Sequence, residues 1–213
     1  CIPMYPQYAS SSSGSTVEEV MRVMQNWYVF PEIRITGQFY DHPKYIETIV
    51  DNAKKHDLNS YEHFIFSYHG LPERQVDKVY EVGPCSDNHC ETEITKENLH
   101  CYKATCYATT RLLVKELGIE EGKYTVSFQS RLDKKWLEPF SDEVVENLAK
   151  EGKKRVLVFS PAFVSDCLET TIEIKDEYEE IFHEHGGEQL DLVESLNDHP
   201  TWIAALKDVV ING

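Results

Sequence analysis

Two residues stand where acid–base or metal chemistry could be done. His69 closes an apolar run in Ser67-Tyr68-His69-Gly70-Leu71-Pro72, and Glu169 opens a helix a hundred residues later. A neutral imidazole accepts protons near pH 7. A carboxylate holds a hydrated divalent cation and passes it on. Glu169, Glu173, Glu177 and Glu180 recur at i, i+4, i+8 and i+11, so they share one helix face. Like charges at that spacing cost a few tenths of a kcal/mol each, roughly. A solvated face tolerates this cost; a cation-binding face explains it better. Each residue also has a bland reading. His69 could be a turn histidine, and Asp166-x-x-Glu169 is a good capping box.

A second group is the segment CSDNHCETEITKENLHCYKATC, spaced C-x4-C-x10-C-x4-C, which holds four of the chain's six cysteines. Cys85, Cys90, Cys101 and Cys106 are expected in a reducing setting, because no charged-then-apolar signal segment opens the chain. That disfavours disulfides and favours metal. Four thiolates suit a [2Fe-2S] cluster or structural zinc. The x4 spacing is looser than the x2 usual for zinc and tips the reading to the cluster. The bland alternative is free buried cysteines leading into a helix. Cys167 reads as core.

Elements must bring these groups together. Short β-type runs occur at Glu62–Ser67, Tyr124–Phe128, Arg155–Ser160 and Gln189–Glu194. Helix-type segments lie between them, at Thr92–Leu117, Ser141–Lys150 and Cys167–His185, with His199–Val210 after the last strand. That rhythm predicts βαβ units and a parallel sheet. Gly118, Gly152 and Gly186-Gly187 sit where helix C-caps want glycine. His183 and His185 at one helix end read as dipole partners rather than metal ligands. Upstream, the pattern predicts a helix at Thr16–Tyr28, a strand at Glu32–Thr36 and a helix at Pro43–Lys55. The opening CIPMYPQYASSSSGS reads as the end of an apolar strand running into a loop, so an earlier part is expected. Its Ser/Gly loop lacks a P-loop lysine, which leaves nucleotide binding weakly supported. In a parallel sheet, ligands bind beyond the carboxyl ends of the strands. His69, Gln129-Ser130-Arg131 and Glu169 should all emerge at that edge.

The chain has 213 residues, 41% of them hydrophobic, enough for a sizeable core. Its net charge of −16 repels phosphate backbones and argues against nucleic-acid binding. No apolar run has spanning length.

Several motifs together resemble one family. YPQYASSSSGS, SYHGLPER, TVSFQSR followed by KWLEPF, FSPAFVSDCLETTIEI and SLNDHPTWI occur in the order, and with the residues, of the ferrochelatases. These enzymes insert Fe(II) into a porphyrin to make haem. The resemblance covers nearly the whole chain, from residue 3 to about 206. It implies an α/β chelatase-like fold of two Rossmann-like domains with parallel sheets, the first incomplete. Residues 1–40 would be the remainder of the first half, rejoined by 196–213. Residues 41–195 would form the second half, with a Cys-rich insertion at 81–106. His69 would face the pyrrole nitrogens and Glu169 would oppose it. Glu173 and Glu177 would continue an acidic row for metal or protons. Tyr5, Gln129, Ser130, Arg131 and Trp136 match positions that line the porphyrin site, and Arg131 could pair with a propionate or form a surface salt bridge. The family's usual cluster ligands are absent here, so the four internal cysteines would form a self-contained set. Porphyrin, most readily protoporphyrin IX, and ferrous iron are the implied partners. A monomer or homodimer in the cytoplasm is implied, with peripheral membrane contact allowed. Competing readings are a chelatase for coproporphyrin or another metal, a non-catalytic four-cysteine metal or redox module, and a nucleotide-binding Rossmann-type domain. The last lacks a G-x-G-x-x-G after any strand.

Overall fold

The computed structural model describes residues 1–212. Its centre is one parallel sheet of β1 (His63–His69), β2 (Tyr124–Gln129), β3 (Arg155–Phe159) and β4 (Gln189–Leu192), in the order β2-β1-β3-β4. The β1–β2 ladder runs from Phe64↔Tyr124 to His69↔Gln129, and the β1–β3 ladder from His63↔Val156 to Phe66↔Phe159. A parallel sheet is covered on both faces, so its central strands need continuous apolar runs. The chain supplies them: His63 to Tyr68 and Val156 to Phe159 are all buried.

The helices are α1 (Ser15–Met24), α2 (Pro43–Ala53), α3 (Glu73–Val76), α4 (Tyr102–Leu117), α5 (Ser141–Lys150), α6 (Glu179–Glu184) and α7 (Pro200–Asn212). Successive strand residues point to opposite faces. Phe64, Phe66 and Phe159 therefore meet Tyr45 of α2, Leu113 of α4 and Trp202 of α7 on one side. Ile65, Val156 and Val158 meet Val145 of α5 and Phe182 of α6 on the other. α7 is fastened by Trp202, whose ring lies 5.8 Å from Phe39 and 6.2 Å from Tyr45, and by Asp208, 3.3 Å from His42 Nε2. Gly118 ends α4 in the left-handed region at φ 66°, the C-cap its position predicts. His185 Nδ1 lies 3.0 Å from the Ile181 carbonyl near the end of α6, again as its position predicts.

Four expectations are corrected. α1 ends at Met24, short of Tyr28. Glu32–Thr36 is not a strand; among the described residues Cys1 alone makes backbone bonds to it, its amine donating to Arg34 O at 2.8 Å and its carbonyl accepting from Thr36 N at 3.0 Å. The stretch from Thr92 is not helical until Tyr102. Buried Asn98 holds that stretch as a loop, its Oδ1 accepting from Thr95 N at 2.7 Å and its Nδ2 donating to Glu93 O at 3.0 Å. Such side-chain bonds compete with helix formation. The expected helix from Cys167 is a π-helix at Glu169–Tyr178 running into α6. Among the described residues, no helix is long and apolar enough to cross a membrane.

Candidate functional site

Strand order places the site. The chain leaves β1 toward β2 on one side and leaves β3 toward β4 on the other. Between the carboxyl ends of β1 and β3 lies the switch point where such sheets bind ligands. A cavity of about 270 Å³ opens there, lined among others by His69, Glu169, Tyr5, Gln7, Tyr102 and Phe163. The two residues predicted to share a cleft share this one. A larger cavity of about 560 Å³ is lined by Tyr8, Ser10, Lys78 and His100 and has no carboxylate in its wall. The smaller one brings an imidazole and a carboxylate together.

His69 ends β1, half-buried, with Nδ1 2.7 Å from the Gly70 carbonyl and its ring 6.3 Å from Phe163 and 6.4 Å from Trp136. Gly70 is required beside it. A Cβ there would lie 2.8 Å from the Gln129 carbonyl and 3.2 Å from the Trp136 ring.

Glu169 begins the π-helix, and its backbone carbonyl accepts from Gln129 Nε2 at 2.8 Å. The capping box does not form. Asp166 instead pairs with Asn197, its amide donating to Oδ1 and its Oδ2 accepting from Nδ2, both at 3.0 Å. Cys167 is half-exposed beside Glu169 rather than core, and burial, then its bond to Glu169, raises its thiol pKa.

The acidic row is not uniform. Glu173 Oε1 accepts from Ser130 N at 2.8 Å and Tyr178 Oη at 2.8 Å; its Oε2 accepts from Ser130 Oγ at 2.5 Å and Gln129 Nε2 at 3.1 Å. Four donors occupy this carboxylate, which the sequence placed among the metal ligands. Glu177 is exposed. Gln129 and Ser130 are thus engaged by Glu173, and Ser130 is held at φ 60°, a conformation unfavourable for a side-chain-bearing residue. Arg131 is committed as well. It pairs with Asp142 and Glu143 and lies 4.0 Å over the Phe140 ring. Trp136 backs the His69 loop, and Tyr5 opens onto the cavity at 45% exposure.

The cysteines form a second centre. Cys85 and Cys90 Sγ are 3.5 Å apart, Cys85 and Cys101 3.6 Å, and Cys90 and Cys101 3.8 Å, all three buried. Sulfurs bound about 2.3 Å from one tetrahedral ion stand roughly 3.8 Å apart, so the donor set fits a metal. Hydrogen bonds with Cys101 and Cys85, then with Tyr80 and Asn98, hold the Cys90 thiol pKa well below its ordinary value. Cys85 is pushed up by its hydrogen bonds to the other two sulfurs. Tyr80 Oη sits 2.9 Å from Cys90 Sγ. Cys106 is outside this group. Five residues from Cys101 is about 1.4 helical turns, which points it elsewhere. It is fully buried, and burial raises its thiol.

Sequence reasoning missed Tyr102, whose hydroxyl donates to the His69 carbonyl at 2.9 Å. The available signal was a tyrosine immediately after Cys101 at a helix start.

Comparison with known proteins gives the family. A ferrochelatase from Pseudomonas fluorescens (strain Pf0-1) is 42% identical over 212 residues, covering 96% of this chain and 61% of that protein. One from Ectopseudomonas mendocina (strain ymp) is 41% identical over 208 residues, with the same coverage of 96% and 61%. The chain therefore spans about three-fifths of the length of these relatives. Among solved structures, SirB from Bacillus subtilis with Fe3+ matches at a TM-score of 0.57 and 14% identity, over 99% of this chain and 71% of that one, a likeness of fold. A sequence model of the ferrochelatases matches residues 1–213, and the chain belongs to the ferrochelatase family.

Proposed function

We propose that the chain carries the metal-inserting half of a ferrochelatase, placing Fe(II) in a porphyrin, most readily protoporphyrin IX. The carrying observation is that His69 and Glu169 line one cavity at the switch point of the sheet. Insertion exchanges two pyrrole protons for one divalent cation. The imidazole of His69 takes up protons from the pyrrole nitrogens. The Glu169 carboxylate holds the cation opposite, a hard oxygen ligand that releases it readily. Aromatic Tyr5, Phe163 and Trp136 are suited to a flat apolar macrocycle. Binding that bends the macrocycle exposes its nitrogen lone pairs, so binding energy goes into distortion. Residues 1–40 with 196–213 are read as belonging to a first half-domain, and 41–195 to the second.

The test is metalloporphyrin formation by the full-length protein, followed by visible absorbance. His69→Ala and Glu169→Ala are expected to lower the rate about 100-fold or more. Normal turnover in both variants overturns these roles.

Cys85, Cys90 and Cys101 are read as ligands of a resident metal. Two occupants suit thiolates. Zinc or a single iron takes the three directly, with a fourth donor such as Tyr80. A [2Fe-2S] cluster takes four thiolates and requires Cys106 as well. When bound, a cluster would supply one-electron chemistry and zinc would supply structure.

A further inference from the structure

The cysteine centre and the His69 cavity are adjacent along the chain. Cys101 gives a sulfur to the first, and Tyr102 lines the second. Cys101 is extended, at φ −75° and ψ 122°, and Tyr102 is the first residue of α4. The Tyr102 ring is buried, and its hydroxyl donates to the His69 carbonyl at 2.9 Å. That carbonyl belongs to the last residue of β1 and carries the imidazole facing the cavity.

The other two sulfurs come from a separate loop. Asp77 Oδ1 anchors it by accepting from Cys85 N at 2.8 Å. Directly, S–H contacts of 3.6 and 3.8 Å join Cys101 to Cys85 and Cys90, beside bonds from Lys103 and Arg111 of α4 to Glu91 at 2.6 and 2.7 Å. Thiols are weak donors and weak acceptors. A metal would replace the S–H contacts with bonds of about 2.3 Å and fix the very start of α4, at Cys101, to the anchored loop. The next residue along is the one that holds His69.

We propose that Tyr102 is a positioning residue through which metal at Cys85, Cys90 and Cys101 sets the place of His69 in the cavity. The coupling needs only one peptide step and one hydrogen bond. It rests on reading the three sulfurs as a metal site, and it does not require porphyrin.

The test follows the His69 imidazole by NMR in histidine-labelled reduced chain, its signal identified by its loss in His69→Ala. Zinc is the probe because it is redox-silent. Zinc is expected to shift the His69 signal in the native chain. In Tyr102→Phe, which keeps the buried ring and removes only the hydroxyl, zinc uptake should be unchanged and the shift lost. A His69 signal indifferent to zinc in the native chain overturns the proposal, as does an equal shift in Tyr102→Phe. A shift that survives in Cys85→Ser shows zinc acting on His69 directly and overturns it too. Zinc uptake, measured alongside, separates the two failures. Absent uptake counts against the metal site itself, and uptake without a shift counts against the coupling alone.

Discussion

Glu173 and Ser130 share two hydrogen bonds, Oε1 accepting from the Ser130 amide at 2.8 Å and Oε2 from its hydroxyl at 2.5 Å. With Gln129 and Tyr178 completing the set, the carboxylate pins the end of β2 to the π-helix that begins with Glu169. It acts as a clamp between two walls of the site. Glu173→Gln keeps the shape, but its amide nitrogen turns a donor toward a donor. The expected loss is about 2 kcal/mol of stability, read by denaturant unfolding. Divalent-cation affinity at Glu169 should change little by calorimetry.

Gly70 admits no side chain. Gly70→Ala would drive a Cβ against the Gln129 carbonyl, 2.8 Å away. Overpacking of this kind costs about 1–3 kcal/mol. Thermal unfolding should register it, and metal insertion should fall with it because His69 is the neighbouring residue.

Arg131 stabilises its own corner, with both carboxylate partners and the Phe140 ring engaged. Arg131→Ala should cost about 1 kcal/mol. Porphyrin affinity, measured by fluorescence quenching, should be unchanged. A large affinity loss would assign Arg131 the propionate role that the sequence left open.

His63 gives the fold an acid limit. Its ring is buried on β1, with Nε2 2.9 Å from Thr125 Oγ1, and burial, helped by Lys153, lowers its pKa to about 4. The unfolded chain binds that proton from about pH 6.5 downward. The unfolded state therefore holds more protons between pH 6.5 and 4, and stability falls as pH falls through that window, by about 3 kcal/mol in full. His63→Gln should flatten this part of the stability–pH curve, measured by urea unfolding at several pH values.

The cysteine centre yields a spectroscopic prediction. Serine at Cys85, Cys90 or Cys101 should abolish metal retention, read by elemental analysis. Cys106→Ser separates the occupants. Retained zinc or iron marks a three-sulfur site, and loss of broad visible absorbance marks a [2Fe-2S] cluster.

The sheet was legible because its signals are local. Apolar runs such as Ile65–Phe66 and Val156–Phe159, bounded by helix segments and glycines, have few other uses. His69 and Glu169 were legible because strand ends converge in this topology. The loop before Tyr102 was not. Nothing in its composition forbids a helix, and the deciding bonds come from the Asn98 side chain. The role of Glu173 was hidden for a related reason. Spacing reveals that four glutamates recur at helical intervals, but not that Ser130 arrives from the end of β2, with Tyr178 five residues on in the same helix, to occupy one of them. Cys106 stands apart from the three grouped sulfurs because a helix starts between Cys101 and Cys106, which sequence spacing does not show.

The order β2-β1-β3-β4 has a mechanical consequence. Below the cavity, β1 and β3 are riveted by their ladder. Above it, the chain turns away from the two strands in opposite directions, carrying His69 on one side and Phe163 and Glu169 on the other. Across the mouth, Gln129 Nε2 on the Glu169 carbonyl and the Glu173 carboxylate on Ser130 bridge the two sides, so the gap between His69 and Glu169 is set by side chains rather than by the rungs of the sheet.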